Sequence, residues 1–229
     1  MLELLTGCLL GGLLGLRHAL EPDHLAAVST LATLEESPRR VAVLGLWWGL
    51  GHGLALLGLA GSLALLERQL SPRWMSGFEL GVALLLLVLG ARALRCAFWQ
   101  PQVGPPLLHA HGETRHHHGG PAAHLHVGRW TMARRPLLIG TVHGLAGSGS
   151  LTALALANMP SAGMRLSYIA VFGLGSLLGM ATLSGVAGLP LTRFGRHPLA
   201  QRAMGAAVGA LSIGYGVYLG GPLLRGLLG

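Results

Sequence analysis

The stretch Gly15-Leu-Arg-His18-Ala-Leu-Glu21-Pro22-Asp23-His24 places two histidines and the only aspartate of the chain inside an otherwise apolar segment. Ionisable side chains are unfavourable in hydrocarbon, so they persist mainly where they meet a partner, a cavity or an ion. Imidazole and carboxylate groups together suit a borderline divalent metal such as Ni²⁺ or Co²⁺. The stretch therefore predicts a metal site at membrane depth, held by His18, Asp23 and His24.

The composition of the chain is typical of membrane proteins. Hydrophobic residues make up 52% and charged residues 10%, and the mean hydropathy is +0.58, outside the usual range for soluble domains. Segments long enough to cross about 30 Å of hydrocarbon lie near residues 4–34, 41–66, 76–99, 134–157, 166–190 and 202–224. We predict an all-α polytopic membrane protein with six transmembrane helices and no separate soluble domain.

The positive charge of the chain predicts its orientation. All sixteen basic residues are arginines, and eleven of them lie on one side of the predicted topology. These eleven are Arg39, Arg40, Arg92, Arg95, Arg115, Arg129, Arg134, Arg135, Arg193, Arg196 and Arg202. The asymmetry predicts that both termini lie outside and that the 100–133 loop lies in the cytoplasm. Because topology explains the positive net charge, nucleic acid is not predicted as a partner. Arg17 either counters Asp23 or Glu21, or extends toward the membrane interface.

The two halves of the chain resemble each other. His18-Ala-Leu20 aligns with His143-Gly-Leu145, and a glycine precedes each histidine by three residues, Gly15 and Gly140. Further matches are Gly49-Leu-Gly51 with Gly173-Leu-Gly175, and Gly61, Gly81 and Gly90 with Gly185, Gly205 and Gly214. The offset is 125 residues in the first segment and 124 afterwards, so one inserted or deleted residue reconciles all matches. This self-similarity indicates an internal repeat.

Three spans per half is an odd number, so the second half must cross the membrane upside-down. Such inverted repeats are a recurrent plan of secondary transporters, whose sites lie at helix breaks in corresponding positions. We predict a first transmembrane repeat over 1–100, a His-rich cytoplasmic loop over 101–133 and a second repeat over 134–229. The expected breaks are in the first helix, at Pro22, and in the fourth helix, over the glycines and serines of 144–149.

The break at Pro22 matters for the predicted site. On an unbroken helix, His18 and His24 would lie about 240° apart around the axis and could not share an ion. Unwinding lets His18, Asp23 and His24 converge and frees the His18 carbonyl as a further ligand, whereas the alternative is a simple proline kink. His52, in Gly49-Leu-Gly-His52-Gly, is either a further ligand or a packing residue. His143 matches His18 but lacks an acidic partner, so both roles stay open.

Ser148, Ser150 and Thr152 either line the path of the ion or are polar residues of a helix interface.

The 101–133 loop carries a different pattern. Its histidines lie among glycines and prolines, a composition that is not expected to fold alone. They are His109, His111, His116, His117, His118, His124 and His126. Clustered imidazoles bind several divalent metals with little discrimination, so the loop is predicted to gather ions, or else is a solvated insertion.

These motifs resemble the nickel/cobalt transporters. His18-Ala-Leu-Glu-Pro-Asp23-His24 is similar to their His-x4-Asp-His signature, and Leu50-Gly-His52 is similar to their second motif. Val142-His143-Gly-Leu-Ala-Gly-Ser148 and Phe172-Gly-Leu-Gly resemble the short six-span branch, described as urease-accessory or high-affinity nickel transport proteins. The resemblance implies Ni²⁺ or Co²⁺ as substrate, with His18, Asp23, His24 and His52 as functional residues. A His-rich loop also resembles the efflux branch of the family.

The expected activity is secondary transport by alternating access, with uptake as the leading direction. No phosphate-binding loop exists in this lysine-free chain, so ATP hydrolysis here is not expected. The alternatives are nickel/cobalt efflux, or a metal-binding membrane subunit or accessory of a larger uptake system, as in urease maturation. An enzyme is not predicted, because Ala146 interrupts a Gly-x-Ser-Gly motif and His-Glu-x-x-His is absent.

The expected setting is the bacterial cytoplasmic (inner) membrane, with lipid around the spans. The expected partners are the divalent ion itself, as substrate rather than cofactor, and a metallochaperone or transporter subunits at the cytoplasmic face. No cofactor is predicted.

Overall fold

The computed structural model describes residues 2–32, 37–99, 109–111, 114–116, 130–194 and 198–228. Its elements in chain order are α1 (Leu2–His18), α2 (Pro22–Ala32), α3 (Pro38–Ala55), a π-helical segment (Leu56–Ala60), α4 (Gly61–Leu65), α5 (Pro72–Trp99), strands β1 (His109–His111) and β2 (Thr114–His116), α6 (Trp130–Asn158), α7 (Ala162–Phe194) and α8 (Pro198–Leu228). The transmembrane part is thus helical, as predicted.

Five helices among the described residues are long and apolar enough to cross a membrane. They are Pro38–Leu65, Pro72–Trp99, Arg134–Asn158, Ala162–Pro190 and Leu199–Gly226. Each matches a predicted segment to within a few residues. The remaining predicted segment, 4–34, contains α1 and α2, with 17 and 11 residues, which are separated by a break. The protein is therefore a helical membrane protein.

The predicted break in the first helix is present at residues 19–21. The backbone N–H of Leu20 donates to the Arg17 carbonyl at 2.9 Å, and that of Glu21 donates to the His18 carbonyl at 3.0 Å. Pro22 then begins α2, where a proline fits because the first helical N–H has no partner within the helix. The His18 carbonyl accepts a hydrogen bond in this turn, so the break does not leave it without a partner, and its role as a ligand stays a prediction.

The prediction of a broken fourth helix is wrong, because α6 is continuous through 144–149. The Ser148 hydroxyl donates to the Gly144 carbonyl at 2.7 Å, and the Thr152 hydroxyl donates to the Ser148 carbonyl at 2.7 Å. Hydroxyls that bond back by one turn satisfy their own hydrogen-bonding needs within a helix. The glycines permit close approach instead, since a Cβ at Gly144 would collide with the His52 carbonyl.

Close helix contacts join the two halves of the chain. Helix α7 packs on α1 and α3, α6 packs on α3, and α5 packs on α8. A Cβ at Gly15 would overlap the Phe172 carbonyl oxygen, and a Cβ at Gly140 would overlap the Trp48 carbonyl oxygen. Small residues at such positions let helix backbones approach closely in membranes. This packing brings α1, α2, α3 and α6 together at the level of the helix break.

Arg165, near the start of α7, forms hydrogen bonds with the ends of two other helices, α4 and α6. Its Nε donates to the Met159 carbonyl at 2.9 Å, and its Nη1 donates to the Ala64 carbonyl at 3.4 Å. Nη1 also contacts the Glu67 carboxylate at 2.7 Å. The side chain is 11% exposed, so these carbonyls and the carboxylate compensate a largely buried charge.

The His-rich loop contains a short antiparallel hairpin, in which His109 pairs with His116 and His111 with Thr114. The prediction that this segment does not fold alone stays a prediction, since the hairpin involves only three residues in each strand. Only two residues separate the strands, which is the connection length that favours pairing of adjacent strands. The other loop histidines, His117, His118, His124 and His126, lie outside the described residues.

Candidate metal site

Four histidines from different helices meet beside the helix break. His18 ends α1, His24 lies in the first turn of α2, His52 in α3 and His143 in α6. Their ring centroids are 4.6 Å apart for His18 and His24, 5.1 Å for His18 and His52, 5.4 Å for His24 and His52, and 5.2 Å for His24 and His143. The structure thus brings together all four histidines that the sequence singled out within the membrane segments.

The carboxylate of Asp23 lies in the same cluster. Its Oδ1 is 3.1 Å from His24 Nδ1, and its Oδ2 is 4.0 Å from His143 Nε2. Asp23 lies in the first turn of α2, directly after Pro22, so the break that separates α1 from α2 also points this side chain at the imidazoles. Local geometry therefore gathers His18, Asp23 and His24, as their spacing around a proline predicts.

Oxygen acceptors hold one ring nitrogen in three of the four histidines. His24 Nδ1 contacts Asp23, His143 Nδ1 lies 3.0 Å from the Ile139 carbonyl, and His18 Nδ1 lies 2.8 Å from the Glu21 carboxylate. Carboxylates and carbonyls only accept hydrogen bonds, so each neutral ring carries its proton on Nδ1. The lone pair of each ring is then on Nε2, the nitrogen that can bind a metal.

These Nε2 atoms are buried and have no hydrogen-bond partner among the residues that the structure describes. The same holds for both ring nitrogens of His52, which is 0% exposed. Burying a polar group without a partner is unfavourable by roughly 1–3 kcal/mol in proteins. One ligand atom each from His18, His24 and His52 lies within 4.8 Å of the others. A cation that accepts their lone pairs would satisfy several of these nitrogens at once.

Aromatic side chains form the walls of the cluster. The Trp48 ring stacks on His24 with centroids 5.4 Å apart, and the Phe172 ring lies 5.4 Å from His18. These rings limit the rotation of the two imidazoles. The sequence did not predict these contacts, because ring packing of α2 on α3 and of α1 on α7 depends on tertiary structure.

A cavity of about 820 Å³ reaches this cluster and is lined by His18, His24, His143 and Asp23. Two further carboxylates also line it: Glu21, which the sequence analysis considered only as a partner of Arg17, and Glu79, which it did not consider. Arg17 lines the same space and forms no ion pair within the described parts of the chain, so it does not counter Asp23 directly. Ser150 reaches the cavity wall, whereas Ser148 and Thr152 are buried within the helix packing.

Comparisons with known proteins bear on the site. The chain is 31% identical over 222 residues to the urease accessory protein UreH of Bacillus sp. (strain TB-90), covering 94% of this chain and 91% of that relative. It is 37% identical over 79 residues to a high-affinity nickel transport protein of Cupriavidus necator (strain ATCC 17699 / DSM 428 / KCTC 22496 / NCIMB 10442 / H16 / Stanier 337), covering 34% of this chain and 22% of that relative.

No solved structure matches the chain. The family model for NicO, the high-affinity nickel-transport proteins, matches residues 6–194, which include all of α1 to α7 except four residues at the start of α1. This match and the long alignment to UreH show the family. The chain belongs to the NicO family of high-affinity nickel-transport proteins.

Proposed function

We propose that this protein carries Ni²⁺ across the bacterial cytoplasmic membrane as a secondary permease, by alternating access and without ATP. The observation that carries the proposal is the cluster of buried, unpartnered imidazole nitrogens beside a broken helix. Non-helical backbone at membrane depth is tolerated where it lines a binding site, and discontinuous helices form the ion sites of many transporters. Co²⁺ has the same ligand preferences and is a second substrate of this proposal.

In this proposal the ion is held by Nε2 atoms of His18, His24, His52 and His143. The Asp23 carboxylate supplies the negative charge, through its Oδ2 atom, 4.0 Å from His143 Nε2. Imidazole binds divalent metals such as zinc at about 2.0–2.1 Å, so two donors on one ion lie roughly 3–3.5 Å apart. The ligand atoms of His18, His24 and His52 lie within 4.8 Å of one another, so side-chain movements of about 1 Å bring these three donors around one ion, and His143 joins them by a further approach.

The inverted repeat, with six spans, is supported by equivalent contacts in the two halves. Gly15 faces the Phe172 carbonyl, and Gly140 faces the Trp48 carbonyl. Gly140 follows Gly15 by 125 residues, and Phe172 follows Trp48 by 124 residues, so the two contacts are equivalent under the repeat. The ring contacts follow the same rule, since His18 lies beside Phe172 and His143 lies beside Trp48. A two-fold relation between the halves accounts for both sets of contacts.

Uptake is the favoured direction. Beyond the histidines, the cavity is lined by Glu79, early in α5, and by Leu154, late in α6. The cavity therefore extends toward the start of α5 and the end of α6, on the side of the molecule where Leu66 and Met159 lie. The arginine asymmetry assigns these ends to the outside, and the His-rich segment 101–133 to the cytoplasm, where it gathers released metal.

A second candidate is an accessory role in urease maturation, with partners at the cytoplasmic face, which the name of the Bacillus relative favours.

Flux measurements in proteoliposomes test the proposed transport. We expect the purified protein alone to carry Ni²⁺ into vesicles that contain a nickel-sensitive dye, without nucleotide, while Mg²⁺ is not carried because imidazoles discriminate against it. Protein-free vesicles are the control. Tight Ni²⁺ binding without any flux, in either direction of an imposed pH gradient, would overturn the permease and favour the accessory role.

Single-cysteine labelling tests the topology. Cys8 and Cys96, both free thiols, are first replaced by alanine. A membrane-impermeant thiol reagent added to intact cells is expected to label Gln69→Cys and Ser161→Cys, in the exposed connections that follow α4 and α6. His116→Cys is expected to react only after the membrane is permeabilised. Labelling of His116→Cys in intact cells would reverse the orientation and remove the support for uptake.

A further inference from the structure

We propose that Glu21 is a positioning residue, which fixes the protonation and orientation of His18 so that His18 Nε2 faces the metal. The proposal rests on the proposed metal site, because it assigns Glu21 a role in preparing one of its ligands. It gives the first carboxylate after His18 a function distinct from that of Asp23.

The helix break creates the contact between Glu21 and His18. His18 is the last residue of α1, and the turn closed by the Glu21 N–H on the His18 carbonyl brings Glu21 back over the end of that helix. The Glu21 carbonyl accepts the first hydrogen bond of α2, from Leu25 N–H at 3.0 Å. The backbone of Glu21 is thus fixed on both sides, and its carboxylate contacts His18 Nδ1 at 2.8 Å.

His18 depends on this contact more than the neighbouring histidines depend on theirs. His143 Nδ1 is held by the main-chain carbonyl of Ile139, which no side-chain substitution removes. His18 is the most exposed of the four, at 15% of its side chain, and Glu21 is the partner of its Nδ1 within the described residues. Without a fixed acceptor, a neutral imidazole in contact with water favours the proton on Nε2, which blocks that nitrogen as a ligand.

A carboxylate on Nδ1 has two effects on a metal-binding imidazole. It fixes the tautomer and the ring orientation, and it makes the ligating nitrogen more basic. Losing such a partner typically lowers metal affinity by roughly 10- to 100-fold. The 2.8 Å contact between Glu21 and His18 has the geometry of these carboxylate–histidine–metal arrangements.

The test compares Glu21→Gln, Glu21→Asp and Glu79→Gln in detergent-purified protein. Glu21→Gln keeps the side-chain length, but its amide can donate as well as accept and therefore no longer selects one tautomer. Glu79→Gln removes the same charge from the same cavity without a contact to His18. Ni²⁺ and Co²⁺ affinity is measured by titration, the Co²⁺ ligand set by visible absorption, and the His18 tautomer by ¹⁵N-histidine NMR.

We expect Glu21→Gln to lower metal affinity roughly 10- to 100-fold, to alter the Co²⁺ spectrum and to populate the Nε2–H tautomer of His18. Glu79→Gln should bind like the wild type, and Glu21→Asp should recover part of the affinity. Wild-type affinity in Glu21→Gln, or an equal loss in Glu79→Gln, would overturn the positioning role while leaving the metal site intact. Absence of metal binding by the wild-type protein would instead overturn the proposed function.

Discussion

Replacing His52 with leucine is expected to abolish nickel transport and to lower metal affinity by at least about 100-fold, while the metal-free protein keeps or gains stability. Both ring nitrogens of His52 are buried without a hydrogen-bond partner in the described part of the chain, so leucine removes two unsatisfied polar atoms and preserves most of the side-chain volume. A residue retained only for packing would give the opposite result, since its loss would destabilise the fold and leave binding intact.

Flux into proteoliposomes, Ni²⁺ titration and thermal unfolding with and without Ni²⁺ measure these effects together. Wild-type protein should unfold at a higher temperature when Ni²⁺ is present, because a ligand that binds only the folded state stabilises it. This increase should vanish in His52→Leu. His111→Leu is the comparison, since it removes one imidazole of the His-rich segment and none of the four in the membrane helices. Full Ni²⁺ flux in His52→Leu would exclude His52 as a ligand.

Replacing Gly15 or Gly140 with alanine is expected to destabilise the protein strongly and by a similar amount at the two positions. The new Cβ would overlap the carbonyl oxygen of Phe172 in one case and of Trp48 in the other. A backbone oxygen cannot rotate aside as a side chain can, so the helices would have to separate. Overpacking of this kind typically costs about 1–3 kcal/mol, and more when backbone blocks relaxation.

Gly77→Ala and Gly163→Ala are the matched controls, because no atom of a non-neighbouring described residue lies within 4 Å of a Cβ at either position. Both lie in helices, where alanine is favoured over glycine, so no destabilisation is expected there. Thermal unfolding in detergent and the yield of monodisperse protein provide the measurement. If Gly15→Ala were as stable as Gly77→Ala, the close packing of α1 on α7 would be wrong.

The local part of the site could be predicted from sequence, and the part that depends on packing could not. Pro22 fixes the position of the break, and the break brings together His18 and His24, which lie four residues before the proline and two residues after it. The fourth helix was mispredicted because glycine and serine occur both at helix breaks and at close helix contacts. The neighbouring helix decides between these uses, and here the His52 carbonyl lies against Gly144.

Other features had no readable signature in the sequence. The role of Glu21 depends on a side chain that turns back across the break, so spacing alone gave no reason to select it. The π-helical segment at Leu56–Ala60, four residues after His52, lies in an apolar run that is equally compatible with an ordinary α-helix. Such segments are frequent at functional sites, and Leu56 lines the cavity beside the histidines.

The contacts of Arg165 have a mechanical consequence. Because one guanidinium joins the end of α6, the end of α4 and the start of α7, these three ends form a single rigid frame. Pulling them apart would leave a largely buried charge without its oxygen partners. The three ends are therefore coupled, because separating any one of them disrupts the contacts of the side chain that holds the other two.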